Sequence, residues 1–255
     1  AAFETAFGEE AGHPVFLCTQ DIQLGAKETI EDTARVLGRM FSIIEFRGFK
    51  QEVVETLADY SGVPVINGLT DLYHPTQALA DIMTLEEEAG PLKGKKLAFL
   101  GDGRNNVCRS LMIISAKMGV DFAVGAPTSL QPDPDFRRQT EIYRRNSGAE
   151  LHVTDDPQTA VEGADAVYTD VWVSMGEESA ESERLSLLKP YQVNDSLMKS
   201  SGKDSTIFLH CLPAVKGNEV TTGVFEGTRS RVFEEAENRK HTIKAVMLAV
   251  LGREK

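Results

Sequence analysis

Four places in this 255-residue sequence put chemically capable side chains directly after a short apolar run. Arg47-Gly48 follows Ile43 to Phe46, Asn105-Asn106 lie in the turn after Phe99-Leu100, Asp170 follows Val167-Tyr168, and His210-Cys211-Leu212-Pro213 follows Phe208-Leu209. In open α/β sheets, ligands bind at the carboxyl ends of the strands, where the chain leaves the sheet. A guanidinium placed there can hold an anion through paired donors. Amides, a carboxylate and a thiol supply a second, different chemistry. The economical reading is one cleft with an anion-binding side holding Arg47 and another side holding Asn, Asp and Cys. His74-Pro75-Thr76-Gln77 adds to the anion side, because it stands where a helix begins and its His and Gln offer donors to a phosphate or a carbonyl. The same four residues would also serve as an ordinary helix cap.

Other chemistries fit less well. Gly101-Asp102-Gly103 starts like a dinucleotide fingerprint, but position 106 is Asn where Gly is required, and the next strand ends in Gly125-Ala126-Pro127 with no acidic partner for a ribose. The five histidines and three cysteines show neither HExxH nor CxxC spacing, so no metal and no cofactor are expected. Cys211 alone would read as an inert buried thiol, and its place beside His210 at a strand end is what makes it a candidate. Glu86-Glu87-Glu88 reads as a solvated helix face.

The elements that must position these residues are those of an α/β protein. Short apolar runs alternate with longer helical patterns, which predicts doubly wound, mostly parallel sheets in two domains with the active site in the cleft between them. Strands are predicted over 15–18, 42–46, 63–66, 96–100, 120–125, 150–153, 166–169 and 206–209, and helices over 29–40, 51–60, 75–88, 106–118 and 237–251. Gly90-Pro91 marks the domain border, giving 1–88 and 89–236. A hydrophobic share of 41% and a charged share of 26% suffice for a core without staples. Twenty-seven basic against 39 acidic residues give a net charge of −12, which disfavours nucleic acid and anionic membrane as partners. Scattered cysteines, no apolar run of about 18 residues and no signal-peptide layout point to a cytoplasmic protein. The opening Ala1-Ala2-Phe3-Glu4-Thr5-Ala6-Phe7 lacks an initiator Met and reads like the middle of an amphipathic helix, so something upstream is expected to be missing.

Taken in order along the chain, Phe46-Arg47-Gly48-Phe49, His74-Pro75-Thr76-Gln77, Asp170-Val171-Trp172-Val173-Ser174-Met175-Gly176, His210-Cys211-Leu212-Pro213 and Glu237-Asn238-Arg239 resemble the ornithine carbamoyltransferases of the aspartate/ornithine carbamoyltransferase family. The resemblance runs over essentially the whole chain, and Ser174-Met175-Gly176 resembles the ornithine enzymes rather than their aspartate or putrescine relatives. It implies a carbamoyl phosphate domain over 1–88, joined by a C-terminal helix at 237–255, and an ornithine domain over 89–236. It also implies carbamoyl phosphate and L-ornithine as substrates, citrulline as product, and a homotrimer or multiple of trimers. Carried over by position, Arg47, His74, Gln77 and Arg239 match carbamoyl phosphate contacts, with Gln23 lent to a neighbouring subunit and Cys211 and Leu212 beside the reacting centre. Asn106, Asp170, Ser174 and Met175 match ornithine contacts, with Asn105 an alternative to Asn106. Arg47, His74, Asp170, Cys211 and Arg239 are thus the expected catalytic set. The family's Ser-Thr-Arg-Thr-Arg phosphate segment would fall immediately before Ala1. Its absence leaves open a truncated non-catalytic relative, while a transferase for another amine such as putrescine is the nearest enzymatic alternative.

Overall fold

The computed structural model describes residues 1–18, 28–173 and 181–252. The chain divides into two compact units, one of residues 1–77 with 237–255 and one of residues 78–236. The sequence reading put the first border at residue 88. The contacts divide the chain inside a helix, whose Ala78, Ala80, Ile82 and Leu85 are buried and whose Asp81 bonds to Glu235, likewise of the second unit.

The first unit begins with α1 (Ala2–Glu9) and α2 (Ile30–Met40), followed by β1 (Ile44–Arg47), α3 (Gln51–Ser61) and β2 (Val65–Leu69). Thr29 caps α2 by accepting from the Asp32 N–H at 3.2 Å, satisfying a donor that a helix start leaves open. Gly38 lets α2 meet the end of α3, since a Cβ there would lie 1.7 Å from the Ser61 carbonyl oxygen. The strands β1 and β2 pair in parallel. The register shifts between Phe46, opposite Asn67, and Arg47, opposite Leu69. Ala6, Ile43 and Ile66 form this unit's core with Ile243 and Met247 from the C-terminal helix. The strand expected at 15–18 is not formed. Its apolar residues have strand propensity but no ladder partner among the described residues, and Val15 and Phe16 stay exposed.

The second unit carries the larger sheet. Helix α4 (Pro75–Ala89) leads into β3 (Lys96–Leu100), α5 (Asn106–Met118), β4 (Asp121–Gly125), α6 (Pro134–Ser147) and β5 (Leu151–Thr154). Next come α7 (Pro157–Val161), β6 (Ala166–Thr169), α8 (Glu181–Leu188), α9 (Asp195–Lys199), β7 (Ile207–Leu209), α10 (Thr222–Phe225) and α11 (Val232–Val250). The five strands are parallel in the order β5-β4-β3-β6-β7. Helices on both faces explain why β6 and β7 are buried at every residue and β3 and β4 at all but the first. Phe99 and Tyr168 stack across one face with ring centroids 6.0 Å apart, while Ala98, Val167 and Phe208 fill the other. The strand order reverses between β3 and β6, the kind of switch point at whose carboxyl ends open α/β sheets bind ligands.

Candidate active site

In the first unit, the β1–β2 register slip sets Arg47 one step beyond the regular ladder, which is how a bulge re-aims a side chain. Arg47 is exposed. The start of α4 is tied to the end of β2 by the Thr76 hydroxyl, which donates to the Gly68 carbonyl at 3.2 Å. His74 and Gln77 beside it are buried at 4% and 1% exposure. Burial, reinforced by the positive charges of Arg239 and Arg47, pushes the His74 imidazole down from 6.5 to about 3. It is therefore a neutral group among cations at neutral pH. Arg239 arrives from α11, where its Nε is buried without a hydrogen-bond partner among the described residues. A buried guanidinium N–H left in this state is a donor waiting for an acceptor. Arg47, His74 and Arg239 thus share one electrostatic neighbourhood, and Gln77 belongs to the same helix start.

In the second unit, three loops leave neighbouring strands and converge on Asp170. The Cys211 thiol, after β7, donates to its Oδ1 at 3.0 Å. Asn105, after β3, donates to its Oδ2 at 2.9 Å while its own oxygen caps α5 by accepting from the Val107 and Cys108 N–H groups. The Val171 N–H adds 2.7 Å to Oδ1. The Asp170 oxygens are thus held by three donors, and one carboxylate orients the thiol. Burial first, then the adjacent Asp170 charge, pushes the Cys211 thiol well above its ordinary range, so it stays protonated as a donor rather than a thiolate nucleophile.

Leu212 has a positive φ of 59°, and its N–H donates to Nδ1 of His210 at 2.9 Å. That bond requires a lone pair on Nδ1, which puts the imidazole proton on Nε2, 3.4 Å from Glu219 Oε1. The candidate ligand atoms of Asp170, His210 and Cys211 lie within 4.8 Å of one another. The sulfur proton is committed to Asp170 and the imidazole Nδ1 to Leu212, so we assign no metal to them.

Asn106 opens α5 and is half-buried. Gln23, Ser174 and Met175 lie outside the described residues. The sequence reading missed Asp102 and Arg184. Burial alone would raise the Asp102 carboxyl, but bonds from Arg104 and Arg184 hold it below the usual range. Arg184 also donates to the Trp172 carbonyl at 2.7 Å, fixing the segment just beyond Asp170. Its signal was faint, an acidic residue in a glycine turn and an arginine far downstream.

The carbamoyl-P binding domain model of the aspartate/ornithine carbamoyltransferases matches residues 1–87, and the Asp/Orn binding domain model matches residues 93–250. An ornithine carbamoyltransferase of Caldanaerobacter subterraneus subsp. tengcongensis is 64% identical over 250 residues, covering 98% of this chain and 80% of that protein. One from Thermotoga maritima is 63% identical over 251 residues, with the same coverage of 98% and 80%. The solved structure of the Pyrococcus furiosus ornithine carbamoyltransferase superposes with a TM-score of 0.95 at 46% identity, over 100% of this chain and 80% of that one. With two family models spanning nearly the whole sequence and relatives this similar along almost all of it, the chain belongs to the aspartate/ornithine carbamoyltransferase family.

Proposed function

We propose that this chain transfers the carbamoyl group of carbamoyl phosphate to the side-chain amine of L-ornithine, giving L-citrulline and phosphate. The observation that carries the reading is the Asp170–Cys211 pair, held at the carboxyl ends of neighbouring strands within the segment matched by the Asp/Orn binding model. A carboxylate and a neutral thiol can take up an amine without forming a bond to it.

The chemistry needs a neutral amine, a polarised carbonyl and a stabilised leaving group. A free amine of this kind has a pKa near that of Lys, about 10.4, so the site must favour its deprotonated form. Asp170 and Cys211 orient the amine, with Asn106, Ser174 and Met175 holding the rest of the ornithine. The amine nitrogen then attacks the carbamoyl carbon, the carbon–oxygen bond to phosphate breaks, and the nitrogen's proton passes to the departing phosphate. Arg47 and Arg239 hold the phosphate oxygens. His74, with Arg47, polarises the carbamoyl oxygen, and its neutral state suits it to donate one hydrogen bond. Gln77 and Leu212 complete the carbamoyl phosphate contacts, together with Gln23 of a neighbouring copy. No covalent intermediate, metal or cofactor enters. Alignment of two bound reactants can alone supply about 7–11 kcal/mol.

The working form is a cytoplasmic homotrimer or a multiple of trimers. Residues 1–88 with 237–255 serve carbamoyl phosphate and 89–236 serve ornithine. Among the described residues no helix is long and apolar enough to cross a membrane. The test is citrulline formation from carbamoyl phosphate with ornithine, putrescine and aspartate offered separately. Turnover with ornithine alone is expected. Preference for putrescine would move the assignment to another amine, and no turnover with any of the three would sink it.

A further inference from the structure

Two buried carboxyl groups stand behind the reacting loop, and no step above uses them. Asp81 on α4 and Glu235 on α11 are both 0% exposed. Their side chains are hydrogen-bonded to each other. Two carboxyl groups can bond in this way only with a proton between them. Glu235 already accepts the His210 backbone N–H on Oε2 at 2.9 Å and the Tyr168 hydroxyl on Oε1 at 3.2 Å. Its remaining side-chain contact is Asp81, so the proton lies between the two carboxyl groups.

We propose that Asp81 and Glu235 share one proton at neutral pH and act together as positioning residues for the turn His210-Cys211-Leu212, a role that rests on the carbamoyl-transfer reading. The tether has two links. Glu235 fixes the His210 backbone, and the His210 imidazole fixes the Leu212 N–H. Cys211 lies between these anchored neighbours, with its sulfur delivered to Asp170. Asp81 stands one helical turn beyond Gln77, and Glu235 one turn before Arg239. The clasp therefore also joins the two helices that carry proposed carbamoyl phosphate contacts.

The ionisable groups facing the pair are Tyr168 from β6, Asp170 from the loop after it, and His210 and Cys211 from the end of β7. Glu219 lies beyond His210. Burial pushes Tyr168 and Cys211 well up, leaving both neutral. Burial likewise raises Glu235, and the bonds from Asp81, His210 and Tyr168 oppose that rise without cancelling it. A second charge on the pair would add to that of Asp170, which already acts with Asp81 and Glu235 on Tyr168 and Cys211.

Three forms of the full chain test this: wild type, Asp81→Asn, which keeps a permanent donor toward Glu235, and Asp81→Ala, which removes it. The folded pair holds a proton that unfolded carboxyls, with pKa near 4, release. Wild type is therefore expected to lose Tm relative to Asp81→Asn as pH rises from 5 to 9, the sign for a group whose pKa is raised by folding. Iodoacetamide labelling of Cys211, read by peptide mass, should quicken at least about 5-fold in Asp81→Ala and return to within about 2-fold in Asp81→Asn. With carbamoyl phosphate and ornithine, Asp81→Ala should lower kcat at least about 10-fold with both KM values within about 3-fold, and Asp81→Asn should restore kcat. If Asp81→Ala does not fold, Glu235→Gln replaces it in the labelling arm, since an amide accepts at only one of its two ends.

Parallel Tm curves for wild type and Asp81→Asn would overturn the shared proton. An unchanged Cys211 labelling rate would overturn the positioning role. A wild type that turns over no ornithine defeats the carbamoyl-transfer reading by itself, while the Tm and labelling arms still decide the pair.

Discussion

At the scale of single residues, Arg47 and His74 make opposite demands on charge. On the proposed mechanism Arg47 is a cation where phosphate departs, so Arg47→Ala should lower kcat by about 100-fold or more while leaving the ornithine KM within about 3-fold, the pattern of an interaction that strengthens in the transition state. Steady-state kinetics check it, and near-normal kcat removes Arg47 from the mechanism. His74 must be neutral. Its folded pKa is depressed from 6.5 to about 3, so between those values the unfolded chain binds the extra proton and stability is lost as pH falls. A His74→Gln variant should show a flatter fall in Tm from pH 6.5 to 4 than wild type, and an equal fall would contradict the depressed pKa. The positions of Arg47, Asp170 and Cys211 at the carboxyl ends of strands were legible in the sequence because each follows a short apolar run. Glu235 was not, because Glu234-Glu235-Ala236-Glu237 reads as a solvated acidic stretch and only the packing around it buries the second of these. The spacing held a clue, since Asp81 and Glu235 each lie four residues from a proposed site residue and so share its helix face.

At the scale of elements, the parallel strands of the second unit matched their apolar runs to within a residue or two, because strands buried on both faces must be apolar throughout. Propensity failed where pairing decides. Residues 15–18 look like a strand yet form none. The C-terminal helix begins at Val232 rather than 237, with Glu234 and Glu235 in its first turn, where negative charge favours a helix N-terminus. Asn105 does two jobs at once, closing the start of α5 and holding Asp170. Asn105→Ala should therefore cost about 1 kcal/mol from the cap alone and lower ornithine turnover as well. Chemical denaturation and kinetics on the same preparation test this, and full activity in a destabilised variant would confine Asn105 to capping. The α2–α3 contact gives a second case. Gly38→Ala should cost about 1–3 kcal/mol, because the new methyl meets backbone that cannot swing aside. An unchanged melting temperature would show that the two helices can part.

At the scale of the whole molecule, the two units differ in how the chain builds them. The second is continuous in sequence, whereas the first is assembled from 1–77 and 237–255, and Ile243 and Met247 of α11 sit in a core otherwise made by Ala6, Ile43 and Ile66. Lys240 and Lys244 also pair with Glu9 at the far end of α1. This discontinuity sets an order on biosynthesis. A nascent chain leaving the ribosome can close its five-stranded sheet once β7 has emerged, but residues 1–77 must wait, with part of their apolar core uncovered, for α11 to be translated. Residues 1–77 are thus made before residues 78–236 yet finished after them, and they depend on protection in the interval.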